Sequence, residues 1–296
     1  MLLHIALSGL LILAILLYYR SSSYVKYKNV LVIGGSSGIG LEIARILYKA
    51  GGKITITSRS KPKLDEILKS FPFSNMASIT GFILDSKSIP SLVEQNYDAI
   101  FYCAGFSIPG YFSDQNLEIF QQHIDVNYIG MLRSLYFYKK YNKNPFDFIV
   151  FSSTLALFPI PGFASYSPSK ICLKSFFETE KDKLESENIH FKIVYCCSMS
   201  TPGFEHEETM KPDLTKKIEH SNVVAHPASV ADYVLRTINS RDAIAYDWFT
   251  YFAMIRNNCE ILVDYLLFPL AVVVMAVAKV AVSIKTKNFI KEKLSE

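Results

Sequence analysis

Cysteine, tryptophan and charge are all scarce in this chain, and each shortage argues against a class of function. Among 296 residues there are five cysteines and one tryptophan, and Asp, Glu, Lys and Arg together make up 20% with a net charge of +4. Cys103, Cys172, Cys196, Cys197 and Cys259 are odd in number and lack metal-ligand spacing, and adjacent Cys196 and Cys197 are poorly placed for a bridge. The pattern argues against a disulfide scaffold and shows no metal site; it fits reduced thiols on a cytosolic face. So slight a net charge gives no nucleic-acid-binding face. The most visible basic cluster, Lys285, Lys287, Lys291 and Lys293, suits a membrane surface better. There is no internal repeat, low-complexity linker or second globular core. The length points to one large α/β domain, over residues 28–245, together with membrane segments.

Long apolar runs are present at both ends. Residues 1–19 contain no charged side chain and, at ~1.5 Å per residue, reach about 28 Å, close to the hydrocarbon thickness of a bilayer. The basic start and small-residue cleavage site of a signal peptide are missing, so a retained transmembrane helix is expected. Arg20, Lys26 and Lys28 follow it and place the main domain on the cytosolic side. The second run, residues 261–284, carries Asp264, Pro269 and Lys279 and precedes the basic tail at 285–296. A full crossing there would put the lysine-rich tail on the wrong side. The favoured expectation is a membrane-associated segment lying on or dipping into the bilayer, the other being a buried C-terminal helix.

Between these runs, short β-branched stretches alternate with helical periodicity. Strands are expected at 29–34, 53–57, 82–84, 98–103, 146–151 and 191–196, and helices at 41–49, 116–140 and 165–186. Strands alternating with helices imply a Rossmann-like, doubly wound parallel sheet. The polar stretch 203–222 reads either as a lid over a substrate or as a solvated helix pair.

The chemistry is concentrated in a few positions. Gly34-Gly35-Ser36-Ser37-Gly38-Ile39-Gly40 joins the first strand to the first helix, where backbone N–H groups of Ser36, Ser37 and Ile39 and the bare Gly34, Gly38 and Gly40 approach a pyrophosphate at a helix N-terminus. After the second strand come Ser58, Arg59, Ser60 and Lys61, with no carboxylate for ribose hydroxyls. Arg59 suits a 2′-phosphate and so NADPH, or is a solvated loop arginine. Asp85 meets an adenine or caps a helix. Tyr166 and Lys170, four apart on a helix, place an ammonium beside a phenol, which is expected to lower the phenol pKa from about 10. Ser153, at the end of a strand, would hydrogen-bond the same carbonyl oxygen. Asn127 falls in a helix interior, where it usually serves a local structural bond, and His123 reads as a surface or core residue rather than a base.

Gly34 to Gly40, Cys103-Ala104-Gly105, Asn127, Ser153, Tyr166 and Lys170 together resemble the short-chain dehydrogenase/reductase family over about residues 28–240. Val126-Asn127-Tyr128-Ile129-Gly130, Tyr166-Ser167-Pro168-Ser169-Lys170, and Thr201-Pro202-Gly203-Phe204 with Lys211-Pro212 resemble the branch that reduces long-chain sphingoid ketones in sphingolipid synthesis. The resemblance implies roles: Ser153 orients the ketone, Tyr166 donates a proton, Lys170 holds the nicotinamide ribose, Asn127 supports a water-linked relay, and Thr201 meets the carboxamide. Ala104 and Gly105 would line the cofactor. It also implies an endoplasmic reticulum membrane location and a homodimer. A microsomal retinol or hydroxysteroid dehydrogenase would share every catalytic residue, and a non-catalytic nucleotide-binding scaffold is the reading from another class. Ile33, Tyr102 and Cys196-Cys197 depart from the family pattern beside the cofactor.

Overall fold

The structure, a computed structural model, describes residues 25–73, 78–83, 96–220 and 222–295. The expected anchor at 1–19, Arg20 and Asp85 lie outside the described residues.

Seven parallel strands form one sheet in the order β3-β2-β1-β4-β5-β6-β7. They are β1 (Asn29–Ile33), β2 (Lys53–Ser58), β3 (Ser78–Ile83), β4 (Ala99–Tyr102), β5 (Phe146–Ser153), β6 (Ile189–Cys196) and β7 (Ala243–Ala245). Among the described residues there are ten α-helices, eight between strands and two after β7: α1 (Gly38–Lys49), α2 (Lys61–Lys69), α3 (Leu117–Ile124), α4 (Gly130–Tyr141), α5 (Tyr166–Glu185), α6 (Pro202–Met210), α7 (Asp213–Glu219), α8 (Pro227–Thr237), α9 (Trp248–Ile255) and α10 (Leu262–Ser295).

Alternate residues of each central strand feed opposite cores, which is why the strands read as unbroken apolar runs. Leu31 and Ile33 of β1 and Phe148 and Val150 of β5 pack with Met131 and Leu135 of α4 and Leu173 and Phe177 of α5. Val30, Val32, Ile149 and Phe151 face the other way, against Ile43 and Leu47 of α1 and Val230 and Val234 of α8. The order of strands reverses between β1 and β4, so a crevice opens at their C-terminal ends, the place where sheets of this kind bind ligands.

The strand expected at 82–84 is found as Ser78–Ile83, and three further features differ from the sequence expectation. The helix expected over 116–140 is two helices, α3 and α4, joined by a π-turn at Asp125–Ile129. β7 was not expected, since three residues carry too little periodicity to register. The apolar stretch and the lysine-rich tail are one continuous helix of 34 residues, and Pro269 lies inside it without ending it.

Helix α10 also accounts for the charges that interrupt its apolar run. Asp264 is fully buried at its start and accepts from Arg241 Nη2 at 2.6 Å and from the Tyr251 hydroxyl at 2.6 Å. Lys279 lies 5.3 Å over the Phe158 ring. Ala271 and Met275 are buried against the domain, whereas Tyr265, Leu266, Val273, Val277, Val280 and Ile284 are exposed. Among the described residues it is the one helix long and apolar enough to cross a membrane. An outward face of this composition suits association with lipid.

Candidate active site

The first turn after β1 shows why glycine is needed there. Gly34 has φ +83, and a β-carbon on it would lie 2.8 Å from the Ala104 backbone nitrogen. Gly38 has φ +54 and faces Thr201, whose methyl would meet an added β-carbon at 3.3 Å. Gly34 N–H is held by Thr57 Oγ1 at 3.2 Å and Gly35 N–H by the Thr57 carbonyl at 3.1 Å, which pins the loop to β2. Ser37 precedes α1 without capping it by a side-chain hydrogen bond. The N–H groups of that first turn are therefore suited to an anion, and Ser36, Ile39 and Gly40 sit buried behind them. These residues fit a dinucleotide. Gly34→Ala is expected to raise the Kd for a nicotinamide dinucleotide by at least about tenfold, the clash being with backbone rather than with a yielding side chain; cofactor fluorescence titration measures it.

Arg59 is exposed at the C-terminal end of β2, and Ser60 beside it caps α2 by accepting from Lys63 N–H at 3.4 Å. Ala104 and Gly105 follow β4 across the crevice from the glycine loop, and a β-carbon on Gly105 would meet Asn127 Oδ1 at 3.1 Å and Lys170 Nζ at 3.3 Å.

Ser153, Tyr166, Lys170 and Asn127 converge on the same edge. Ser153 ends β5; its hydroxyl accepts from Leu155 N–H at 3.1 Å and lies near enough to the Tyr166 phenol to pull its pKa down. Tyr166 opens α5, and Lys170 lies one turn on with its Nζ 5.8 Å from the Tyr166 ring centre. The Lys170 ammonium donates to the Phe151 carbonyl at 2.8 Å, and burial holds its pKa down to about 8. Asn127 is fully buried: its Oδ1 accepts from Phe106 N–H at 3.1 Å, and its Nδ2 donates to the Phe106 carbonyl at 3.2 Å and to Ser169 Oγ at 2.9 Å. Its side chain therefore ties the loop after β4 to α5.

One electrostatic expectation is reversed. Burial raises the Tyr166 phenol above the ordinary tyrosine range and the Glu207 carboxylate adds to the rise, against a smaller downward pull from Ser153. The Lys170 ammonium is committed to Phe151, so it does not lower the phenol here. Tyr166 is protonated at neutral pH with or without this rise, and the rise makes the isolated phenol a weaker acid than one tuned near the working pH.

Sequence departures find local reasons. Tyr102, standing where an asparagine is common, donates from its hydroxyl to the Val126 carbonyl in the π-turn at 2.7 Å. Cys103 and Cys196 lie near Lys170; burial pushes the Cys196 thiol up to about 12 and the Cys103 thiol well above its usual value, so both remain neutral. Nothing in the structure explains Ile33.

Thr201 caps α6, accepting from Phe204 N–H at 3.2 Å, so the residue expected at the carboxamide also starts the helix over the site. The polar stretch after it is the helix pair α6 and α7, cinched by a buried lysine. Lys211 Nζ meets Glu207 at 3.1 Å, Glu219 at 2.7 Å and Glu208, and lies 5.8 Å over Phe163 and 4.8 Å over Phe204. Phe163 in turn packs 5.9 Å from the Tyr166 ring. Glu207 and Lys211 were not singled out as site residues from sequence, although their i,i+4 spacing, with Glu208 at i,i+3, is a signal for such a pair.

Comparison with known proteins places this geometry. The short chain dehydrogenase profile matches residues 28–212. A Dictyostelium discoideum protein named 3-ketodihydrosphingosine reductase is 34% identical over 78% of this chain and 78% of its own length. A Danio rerio protein named 3-dehydrosphinganine reductase is 29% identical over 78% and 76%. Among solved structures, a short-chain dehydrogenase from Sphingobium yanoikuyae in complex with NADPH superposes with a TM-score of 0.64 at 17% identity, covering 74% of this chain and 87% of that one. One from Burkholderia phymatum in complex with NAD gives 0.66 at 15%, covering 77% and 92%. Glycine loop, crevice, Ser153, Tyr166 and Lys170 thus sit within a profile that spans most of the sheet, and the chain belongs to the short-chain dehydrogenase family.

Proposed function

We propose that this protein is an NADPH-dependent reductase that converts the 3-keto group of a long-chain sphingoid base, 3-ketodihydrosphingosine, to the hydroxyl of dihydrosphingosine. The observation that carries the reading is the joining of Tyr166, Ser153 and Lys170 at a nicotinamide-type crevice, in a chain similar to proteins named for that reaction. A reduced nicotinamide supplies the hydride; the chain supplies position and the proton. Ser153 and Tyr166 hydrogen-bond the ketone oxygen, and Tyr166 gives its proton as charge develops there. Lys170 holds the nicotinamide ribose, its ammonium anchored on the Phe151 carbonyl. Asn127 supports the proton relay by fixing Phe106 and the Lys170 side of Gly105. Gly34, Ser36, Ser37, Gly38, Ile39 and Gly40 hold the pyrophosphate, Ala104 and Gly105 line the crevice, Asp85 meets the adenine and Thr201 the carboxamide.

Arg59 is the basis for choosing NADPH: it is the cation that follows β2 where an NAD enzyme offers a carboxylate. Arg59→Asp is expected to lower kcat/KM for NADPH by at least about tenfold and leave that for NADH nearly unchanged, since a lost charge-assisted pair costs about 1.5–3 kcal/mol. Equal losses with both cofactors would refute the role.

The domain plan belongs to the same proposal. Residues 1–19 anchor the chain in the endoplasmic reticulum membrane with 28–245 facing the cytosol, 261–284 lies on or dips into the bilayer, and 285–296 meets its headgroups. That location brings the site to a substrate that resides in lipid. The Asp264–Arg241 pair supports a docked helix rather than a crossing one, because it fixes α10 to the domain. A homodimer completes the proposal. Assay of purified protein with 3-ketodihydrosphingosine, retinal and a 17-ketosteroid separates the readings: turnover with retinal or the steroid alone would make it a retinol or hydroxysteroid dehydrogenase. NADPH binding without any turnover would make it a scaffold.

A further inference from the structure

His123 is a fully buried histidine beside the proton donor, and the mechanism above gives it no task. Its Nδ1 lies 2.9 Å from the Ile119 carbonyl one turn back in α3, a group that only accepts. Nδ1 therefore carries the proton, which leaves Nε2 bare, and Nε2 accepts from Ile108 N–H at 3.1 Å. The ring stacks on Phe106 at 4.5 Å and meets the Tyr166 ring edge-on at 6.0 Å. His123 and Asn127 thus grip one loop at successive points, Asn127 at both polar groups of Phe106 and His123 at Ile108 N–H. Gln115 Nε2 holds the Ile108 carbonyl at 2.8 Å. That loop starts at Gly105, against the Lys170 ammonium. It forms the wall between the π-turn and Tyr166.

We propose that His123 is a positioning residue of the reaction, a neutral imidazole that sets the loop 105–108 and the Tyr166 ring in their working arrangement. The inference rests on the reductase reading. A ring protonated at Nε2 would point N–H at N–H and release Ile108, and it would add a cation in a region where α5 already presents Lys170. The titratable groups facing the imidazole from α5 are Tyr166 and Lys170; the loop offers Phe106, Ile108 and backbone. Burial first, and Lys170 besides, hold the His123 pKa below its ordinary value of 6.5. Loss of the arrangement is accordingly expected on the acid side, as pH falls through that lowered value. Stability follows the same sign. Above the unfolded value of about 6.5 neither state binds the proton, and the folded state loses ground as pH falls below it.

Two variants and a spectrum test this. His123→Phe keeps a ring on Phe106 but has no acceptor for Ile108 N–H, and His123→Gln offers an acceptor that cannot be protonated. For His123→Phe, kcat is expected to fall about 10- to 100-fold, well beyond any rise in the NADPH Kd, since a displacement near 1 Å costs that much. His123→Gln is expected to recover part of the loss and to lack the acid-side decline of kcat. Nitrogen-15 NMR of the cofactor-free protein is expected to show a neutral imidazole, protonated at Nδ1, down to below pH 6.5. A ring that titrates at or above 6.5 would overturn the proposal, as would an unchanged kcat and pH profile in His123→Gln. Measuring kcat with whichever ketone the wild type reduces keeps this outcome separate from failure of the substrate assignment. Should His123→Phe not fold, His123→Gln and the spectrum decide.

Discussion

Tyr166→Phe is expected to lower kcat by about 10²- to 10⁴-fold while NADPH still binds with its wild-type affinity. The substitution removes one oxygen and leaves the ring, so the packing on Phe163 and His123 is kept. What disappears is the phenol beside Ser153, the group that gives the proton in the proposed reaction. Ser153 remains as a hydrogen-bond donor to the ketone, and Lys170 stays on the Phe151 carbonyl. Positioning and oxyanion stabilisation therefore persist and a residual rate is expected. Stopped-flow measurement of NADPH oxidation alongside a binding titration separates the two effects. A variant that loses cofactor binding in proportion to rate would show that Tyr166 serves the crevice rather than the proton.

The second large effect is on stability. Asp264 is fully enclosed and accepts four hydrogen bonds: Arg241 at 2.6 Å, Tyr251 at 2.6 Å, and the backbone N–H groups of Glu260 at 2.8 Å and Ile261 at 3.2 Å. Arg241 itself is buried. Asp264→Ala leaves that guanidinium without its counter-charge, which costs about 3–5 kcal/mol in a buried pair. The double variant Asp264→Leu with Arg241→Met removes both charges and is expected to regain most of the loss. Urea denaturation of the three proteins measures this. Equal destabilisation in single and double variants would mean that packing alone, and not the ion pair, holds α10 to β7 and α9.

The contrast between the two predictions also explains what sequence can carry. The strands of the sheet centre were legible because both faces are buried, which makes each an apolar run such as Val30 to Ile33. Tyr166, Lys170 and the glycine loop were legible because their chemistry needs fixed local spacing. The relation of Asp264 to Arg241, 23 residues away, has no local signature; from sequence Asp264 was only an interruption in an apolar stretch. The π-turn at Asp125–Ile129 was hidden because one extra residue in a turn barely disturbs a helical pattern. The direction of the Tyr166 shift was missed for another reason. Spacing placed Lys170 nearby, but the shift is set by burial of the phenol and the carboxylate of Glu207, which come from elements far apart in the chain.

The measurement that bears most directly on the central claim is product analysis with purified protein, NADPH and 3-ketodihydrosphingosine. One dihydrosphingosine formed for each NADPH consumed, and none with Tyr166→Phe, is the predicted result. Unchanged 3-ketodihydrosphingosine under conditions where NADPH binds, or NADPH consumed only with another ketone, would contradict it.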